Sequence, residues 1–414
     1  MSSKMSASSS VIQLECQCNN YPWGKQGKES LAAKYAAATP GGKFKLDESK
    51  EYAEMWMGTY PTTPSLILSN GKDLQEHLNA NKEKLIGKPI LDKFGADLPY
   101  LPKILSIAKA LPLQIHPDKD LATKLHKRDP ERFGDPNHKP EIAVALGKFE
   151  TFVGWKPLSE IQSLFTSIPV LSSKFLTSPS NTIDKDALKF IVHKILTLSD
   201  DEVTSIYNAL KEIPSSDFPT SSHVPELLPR LASQYSASDP GNLVALLTMN
   251  FLTLQKGDAI YVPADGIHAY LSGDIVECMA RSDNVINSGF CPRADRDSAE
   301  LFSAALTFSP VGKDECILKP TSSPKGKNGK TKVLAPPMSE FDMLIMALEK
   351  GEKETIEKLG GPSIMVITGG KGTLKVGGEK FELKEGYVFF VGVGTELEFE
   401  AEEGLEAHVA FCEA

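Results

Sequence analysis

Residues Gln114 to Leu146 read QIHPDKDLATKLHKRDPERFGDPNHKPEIAVAL. Two apolar strands, QIH and PEIAVAL, flank a charged helical loop. One opens Gln-x-His, and the other is led in by Asn-His-Lys-Pro-Glu. Strand residues two apart point to the same face, so Gln114 and His116 share one. If the two strands pack as neighbours, Glu141 faces the same place. An amide, an imidazole and a carboxylate on one face are three metal-capable ligands, and such a set calls for a fourth.

The chain that must position them has 414 residues, more than one ordinary core, so two or three domains are expected. Hydrophobic residues at 41% and charged residues at 24% are those of an ordinary globular protein. A formal net charge of −9 argues against nucleic acid or an anionic membrane as partner. A small anionic substrate remains compatible with a local basic pocket. The cysteines (Cys16, Cys18, Cys278, Cys291, Cys316 and Cys412) form no CxxC pair, and they read as reduced thiols of a cytosolic protein. The opening MSSKMSASSS is polar, has no apolar signal core and reads as disordered. No run approaches the ~18 apolar residues of a membrane span. The expected location is the cytoplasm.

Along the chain, Val11 to about Gly58 reads as strands and turns. From about Leu158 to Gly241 the apolar residues follow a helical period, as in ALKFIVHKILTL and VTSIYNALKEI. This helical block ends at Asp239–Asn242. After a loop at Ser322–Lys332, short alternating segments with Gly-rich turns predict a sandwich or barrel. The order is β, α, β.

In GDAIYVPADGIHAY (Gly257–Tyr270), five residues separate Gly257 from Pro263, and His268 lies five beyond the proline. This spacing resembles the second motif of the cupin superfamily, in which a strand, a tight turn and a returning strand place one histidine inside a small jelly-roll barrel. That resemblance adds His268 to Gln114, His116 and Glu141. Zinc suits the set, because imidazole and carboxylate are common zinc ligands and four-fold coordination is typical. With one carboxylate the site keeps a charge of +1 and its Lewis acidity. Ligand type alone leaves iron and manganese open. The other histidines (His77, His126, His193, His223 and His408) read as core or surface residues.

Longer segments carry a closer likeness. DPNHKPE (Asp135–Glu141) and HAYLSGDIVECMARSDNVINSGFCPR (His268–Arg293) resemble the two signature segments of the type I phosphomannose isomerases. AEMWMGT (Ala53–Thr59), YPWG (Tyr21–Gly24) and QIHPDK (Gln114–Lys119) fit as well. The resemblance implies a mainly β fold of two cupin barrels, with an α-helical domain inserted in the first. Its divisions fall at 11–157 and 243–308 for the catalytic barrel, 158–242 for the insertion, and 309–414 for a metal-free barrel. It implies one Zn²⁺ per chain, a monomer, and interconversion of mannose 6-phosphate and fructose 6-phosphate through a cis-enediolate. That reaction feeds GDP-mannose synthesis, glycosylation and, where there is one, the cell wall.

The same resemblance suggests roles. Lys139 is the candidate for proton transfer, since burial beside a cation makes lysine a base. His138 is the candidate for ring opening. Tyr270 is a pocket wall or hydroxyl donor, and Glu277 and Asp283 orient basic groups. Trp23 borders the substrate, while Lys103 and Lys156 stand at the family's basic positions for phosphate. The chain departs from the family pattern at three places. Asn287 stands where the family has a catalytic arginine, Arg293 where it has lysine, and Pro112 where it tends to have serine. Either Arg293, Arg281 or Arg296 restores the charge, or the chain is a weakened metal cupin that binds sugar phosphates in a regulatory role. A third reading, an iron oxygenase, is opposed by the amide ligand and by NHKPE.

Overall fold

The long strand His268–Ala280 is mostly apolar and buried along most of its length, as suits a central strand. Its first half pairs with Phe149–Trp155 and, through His268, with Gln114 of the strand Leu113–Ile115. Its second half pairs with Tyr100–Ile107 on one side and Glu141–Ala145 on the other. The change of partners falls near Gly273, at φ 125°. A Cβ there would meet the Lys148 carbonyl oxygen at 2.6 Å, so only glycine lets the two segments come this close. The computed structural model describes residues 10–176, 182–218 and 221–414; residues 1–9, nearly all of the segment read as disordered, lie outside the described residues.

With this central strand the sheet has ten strands, in the order Met249–Leu254, Phe149–Trp155, His268–Ala280, Tyr100–Ile107, Glu54–Trp56 and Gln17–Asn19, with four more strands off this path. One buried cluster holds Leu105 and Ile107 with Phe149, Val153, Leu252, Ile260, Val262 and Tyr270. The two halves of the sheet therefore face each other across a shared core. A second sheet, also of ten strands, is built mainly from residues 321–411, around the long antiparallel pair Ser363–Val376 and Leu397–Phe411. The N-terminal strand Val11–Glu15 belongs to this second sheet, where it pairs with Val388–Val391 and with Leu66–Ile67.

The fold is thus mainly β, but the pairings do not close the two barrels expected from the sequence. Both sheets have open ends: Met249–Leu254 and Gln17–Asn19 bound the first without pairing to one another. A long strand that bends and changes neighbours can wrap a sheet around its core without hydrogen-bonding the first strand to the last.

Between the two parts of the first sheet, Leu158–Thr248 carries six α-helices among the described residues. Their apolar faces pack with Phe152, Trp155, Leu113 and Ile115 into one core. The last helix, Pro240–Thr248, runs past Asn242 and is buried at every position. With no exposed side it shows no helical period. No described helix is long and apolar enough to cross a membrane, and all six cysteines are free.

Candidate metal centre

Three of the expected ligands come together. One ligand atom each from His116, Glu141 and His268 lies within 4.8 Å of the others, and all three residues are buried. His116 Nε2 is 3.2 Å from Glu141 Oε1, and His268 Nε2 is 3.5 Å from Glu141 Oε2. The other ring nitrogens settle the tautomers. His116 Nδ1 is 2.8 Å from the Asn284 carbonyl oxygen, and His268 Nδ1 is 3.0 Å from that of Gly266. A carbonyl oxygen only accepts, so each Nδ1 carries the proton and each Nε2 presents a lone pair. Neither Nε2 has a hydrogen-bond partner, though both are buried.

Burial pushes His116 down to about 4 and lowers His268 as well, so both rings are neutral at pH 7. Burial alone would raise the Glu141 carboxyl, but neighbouring positive charge, the Lys139 ammonium included, outweighs it and holds the group well below the usual carboxylate range. Two lone pairs and a carboxylate thus converge in a buried space. Such a set of acceptors lacks only a cation, and carbonyl-anchored imidazoles are the usual support of a metal ligand. The residues fit a divalent metal. Gln114 stands directly across from His268 in the sheet register, so its side chain lies on the same face.

A second group of charges continues from the first. Lys139 Nζ lies 3.5 Å from Glu141 Oε1, and the Tyr270 hydroxyl donates to Glu141 Oε2 at 3.3 Å. Lys103 is buried between Glu54 at 3.4 Å and Glu277 at 3.5 Å, with Nζ 4.6 Å from the centre of the Trp56 ring. Burial works against its charge, yet the two carboxylates keep Lys103 protonated beyond the ordinary lysine range. One ammonium cannot neutralise both acids. Burial and the charge of Glu141 push Glu277 up to about 8, so it holds a proton at pH 7.

The catalytic-domain model of type I phosphomannose isomerase matches residues 11–158, and the C-terminal model of the same family matches residues 333–379. A mannose-6-phosphate isomerase from Cryptococcus neoformans is 39% identical, with 98% of this chain and all of the relative covered. The chain belongs to the type I phosphomannose isomerase family. A mannose-6-phosphate isomerase from Saccharomyces cerevisiae is 36% identical over 98% of this chain and 99% of its own length. A crystal structure of zinc-bound mannose 6-phosphate isomerase shares the fold at a TM-score of 0.81, with 24% identity over 98% of this chain and all of that one. An arginine-to-alanine mutant of the Salmonella typhimurium phosphomannose isomerase superposes at 0.80, with 25% identity and the same coverage.

The remaining family positions are distributed unevenly about the metal group. Trp23 stacks on Tyr21 at 5.7 Å and packs against the buried cluster that includes Tyr270. Asp283 is exposed, and its charge acts on both Tyr21 and Tyr60. Asn287 stands opposite Gln114, on the metal side of its strand, with Oδ1 buried and unpartnered. His138 points elsewhere: its Nε2 is 2.7 Å from Glu340 Oε1, in the C-terminal part of the chain. Lys156 is buried in the seam with the helices, where Nζ donates to Ser221 Oγ at 2.9 Å and to the Leu246 carbonyl at 2.8 Å. Arg293 pairs with Asp200 at 3.3 Å. With Arg296 and Ser288 it lines a cavity of about 230 Å³ between the helices and the strand Ile286–Gly289.

Sequence reading overlooked Glu54 and Asn284. Glu54 accepts from Trp56 Nε1 at 2.5 Å and holds Lys103. The alternation Glu-Met-Trp in Ala53–Thr59 was its available signal, because it puts a carboxylate beside an aromatic ring on one face. Asn284 acts through its backbone carbonyl, for which side-chain identity gives no signal.

Proposed function

We propose that this chain is a zinc-dependent aldose–ketose isomerase that interconverts mannose 6-phosphate and fructose 6-phosphate. The observation that carries the reading is the pair of neutral, carbonyl-anchored imidazoles whose lone pairs meet the Glu141 carboxylate, in a member of this family that matches a relative over 98% of this chain. Gln114, His116, Glu141 and His268 would hold the zinc. When bound, the metal supplies a Lewis-acid charge that polarises the sugar oxygens.

The protein's own groups do the rest. Lys139, 3.5 Å from Glu141, stands where a proton can pass to and from the sugar carbons beside the metal. The Tyr270 hydroxyl lies between Glu141 and Glu277, which fixes its orientation. Glu277 stands beside Tyr270 and Lys103, where it orients both groups toward the metal side. Lys103 keeps Glu54 and Glu277 in place. Trp23 and Asp283 border the sugar. His138 ties the catalytic loop to Glu340, and Lys156 and Arg293 lie in the helical seam.

The divisions 11–157, 158–242, 243–308 and 309–414 describe this enzyme as a split catalytic cupin unit, a helical insertion and a metal-free cupin-like unit. Val11–Glu15 and Leu66–Ile67 form the seam between the β units. The enzyme works as a monomer in the cytoplasm on a small sugar phosphate. A coupled assay of mannose 6-phosphate to fructose 6-phosphate, with chelator and zinc add-back, tests the function. Zinc-restorable turnover is expected. A folded, zinc-replete protein with no turnover would refute the reading in favour of a regulatory sugar-phosphate binder.

A further inference from the structure

We propose that Arg281 is the phosphate clamp of the site, an inference that rests on the sugar-phosphate reading above. Several other basic groups around the site are already compensated by carboxylates. Lys103 sits between Glu54 and Glu277, and Lys139 lies on Glu141. Arg132 closes on Asp297 at 2.9 Å, Arg296 on the buried Asp239 at 2.9 Å, and Arg293 on Asp200 at 3.3 Å.

Arg281 is held differently. Nη1 donates to Thr59 Oγ1 at 3.0 Å and Nη2 to the Thr59 carbonyl at 3.2 Å. Its carboxylate neighbour, Asp97, is 4.0 Å away and 60% exposed, so solvent weakens that pair. Neutral acceptors thus fix the plane of the guanidinium and leave its charge largely uncancelled. A guanidinium has five N–H donors in a fork that matches phosphate oxygens. Two of those donors are used on Thr59.

Its position suits the far end of a hexose 6-phosphate. Residues 277, 279 and 281 alternate onto one face, and the ladder continues as the Arg281 N–H donates to the Pro99 carbonyl. Met279 stands opposite Glu141, so Arg281 lies two residues, roughly 7 Å, farther along the strand. Its guanidinium rests on the Tyr60 ring at 5.3 Å, Tyr60 meets Trp56 edge-on at 5.4 Å, and Trp56 carries Lys103. The side chain is 17% exposed, beside the exposed Asp283. In a hexose 6-phosphate the reacting C1–C2 edge and the phosphate sit at opposite ends of the carbon chain. With C1–C2 beside the metal, the phosphate reaches toward the solvent side, where Arg281 stands.

The test compares zinc-loaded wild type, Arg281→Ala and Arg281→Lys, with folding checked by circular dichroism and zinc content by atomic absorption. Arg281→Ala is expected to raise KM for mannose 6-phosphate by about 10- to 100-fold, the loss of charge-assisted hydrogen bonds. Inhibition by inorganic phosphate should weaken by the same factor, with kcat changing far less. Arg281→Lys, which keeps the charge without the fork, should fall between. Calorimetric titration of inorganic phosphate into the same proteins reads the clamp without turnover. Phosphate binding by wild type that drops in the variants supports the clamp even if mannose 6-phosphate is not turned over, a result that would sink only the functional reading. Wild type that fails to bind phosphate, or a folded Arg281→Lys or Arg281→Ala that binds it equally well, overturns the proposal.

Discussion

Lys156 is a buried amine whose charge the fold opposes, and replacing it with methionine should stabilise the protein at neutral pH. Burial pushes Lys156 down to about 7 from the ordinary 10.5, with Glu160 working against the shift and Lys313 adding to it. The neighbouring His223 is pushed down to about 3 by burial and by the same two lysines, so its ring is neutral. Between pH 7 and 10.5 the unfolded chain holds a proton that the folded chain has released. Unfolding then takes up a proton, and stability rises with pH across this window. Below pH 7 both states are protonated and the deficit is constant. The gap between about 7 and 10.5, at about 1.36 kcal/mol per pH unit, amounts to roughly 5 kcal/mol. At pH 9 roughly 2 kcal/mol of it remains.

Against this stands the loss of the two hydrogen bonds to Ser221 and Leu246, worth about 1 kcal/mol each. Lys156→Met should therefore be more stable than wild type by roughly 3 kcal/mol at pH 6 and about equal to it at pH 9. Urea unfolding of both zinc-loaded proteins at pH 6, 7.5 and 9 measures this. Other titrating groups cancel in the difference between the two proteins. A difference that stays flat from pH 6 to 9 would refute the reasoning, since it would mean Lys156 is charged throughout.

His268→Ala should lose zinc and turnover together, read by metal analysis and the coupled assay; an active, zinc-replete variant would remove His268 from the site. Lys139→Ala should keep its zinc and lose about 10²- to 10⁴-fold in kcat, the range of a proton-transfer group, and near-normal turnover would cancel its role. Asn284→Asp removes the amide donors that hold Asp135 and Asn137 and sets a carboxylate against Asp135. Zinc affinity, measured by chelator competition, should fall by about 10- to 100-fold, and an unchanged affinity would remove Asn284 as a support of the His116 ring.

Much of the metal centre was legible because it rests on local geometry. Gln114 and His116 share a face through the two-residue period of a strand, and Glu141 opens the strand that follows the charged helix Lys119–Arg128. What escaped depended on distant partners or on side-chain direction. Nothing local to Val11–Glu15 says that it pairs with residues 388–391. The helix Pro240–Thr248 is buried on all sides, so its sequence carries no period. Family position placed His138 and Lys156 at the site by residue type, yet Glu340 draws the first away and Ser221 with Leu246 encloses the second. Barrel closure could not be read either, because it depends on where the long strands bend.

Asn284 shows why the ligands alone understate the site. Its carbonyl accepts from His116 Nδ1 at 2.8 Å and so aims Nε2 at Glu141. Its amide donates to the Asp135 carbonyl at 2.7 Å and to that of Asn137 at 3.2 Å. Those carbonyls belong to the loop that delivers Lys139 and Glu141. One buried residue therefore sets the direction of one ligand and the height of the strand that carries another, and it follows directly from the strand that begins with the third, His268. The two signature segments, far apart in sequence, are two sides of one hydrogen-bonded clasp. A change in either segment displaces ligands contributed by the other, so the long match across both constrains the metal geometry more tightly than four ligand positions taken separately.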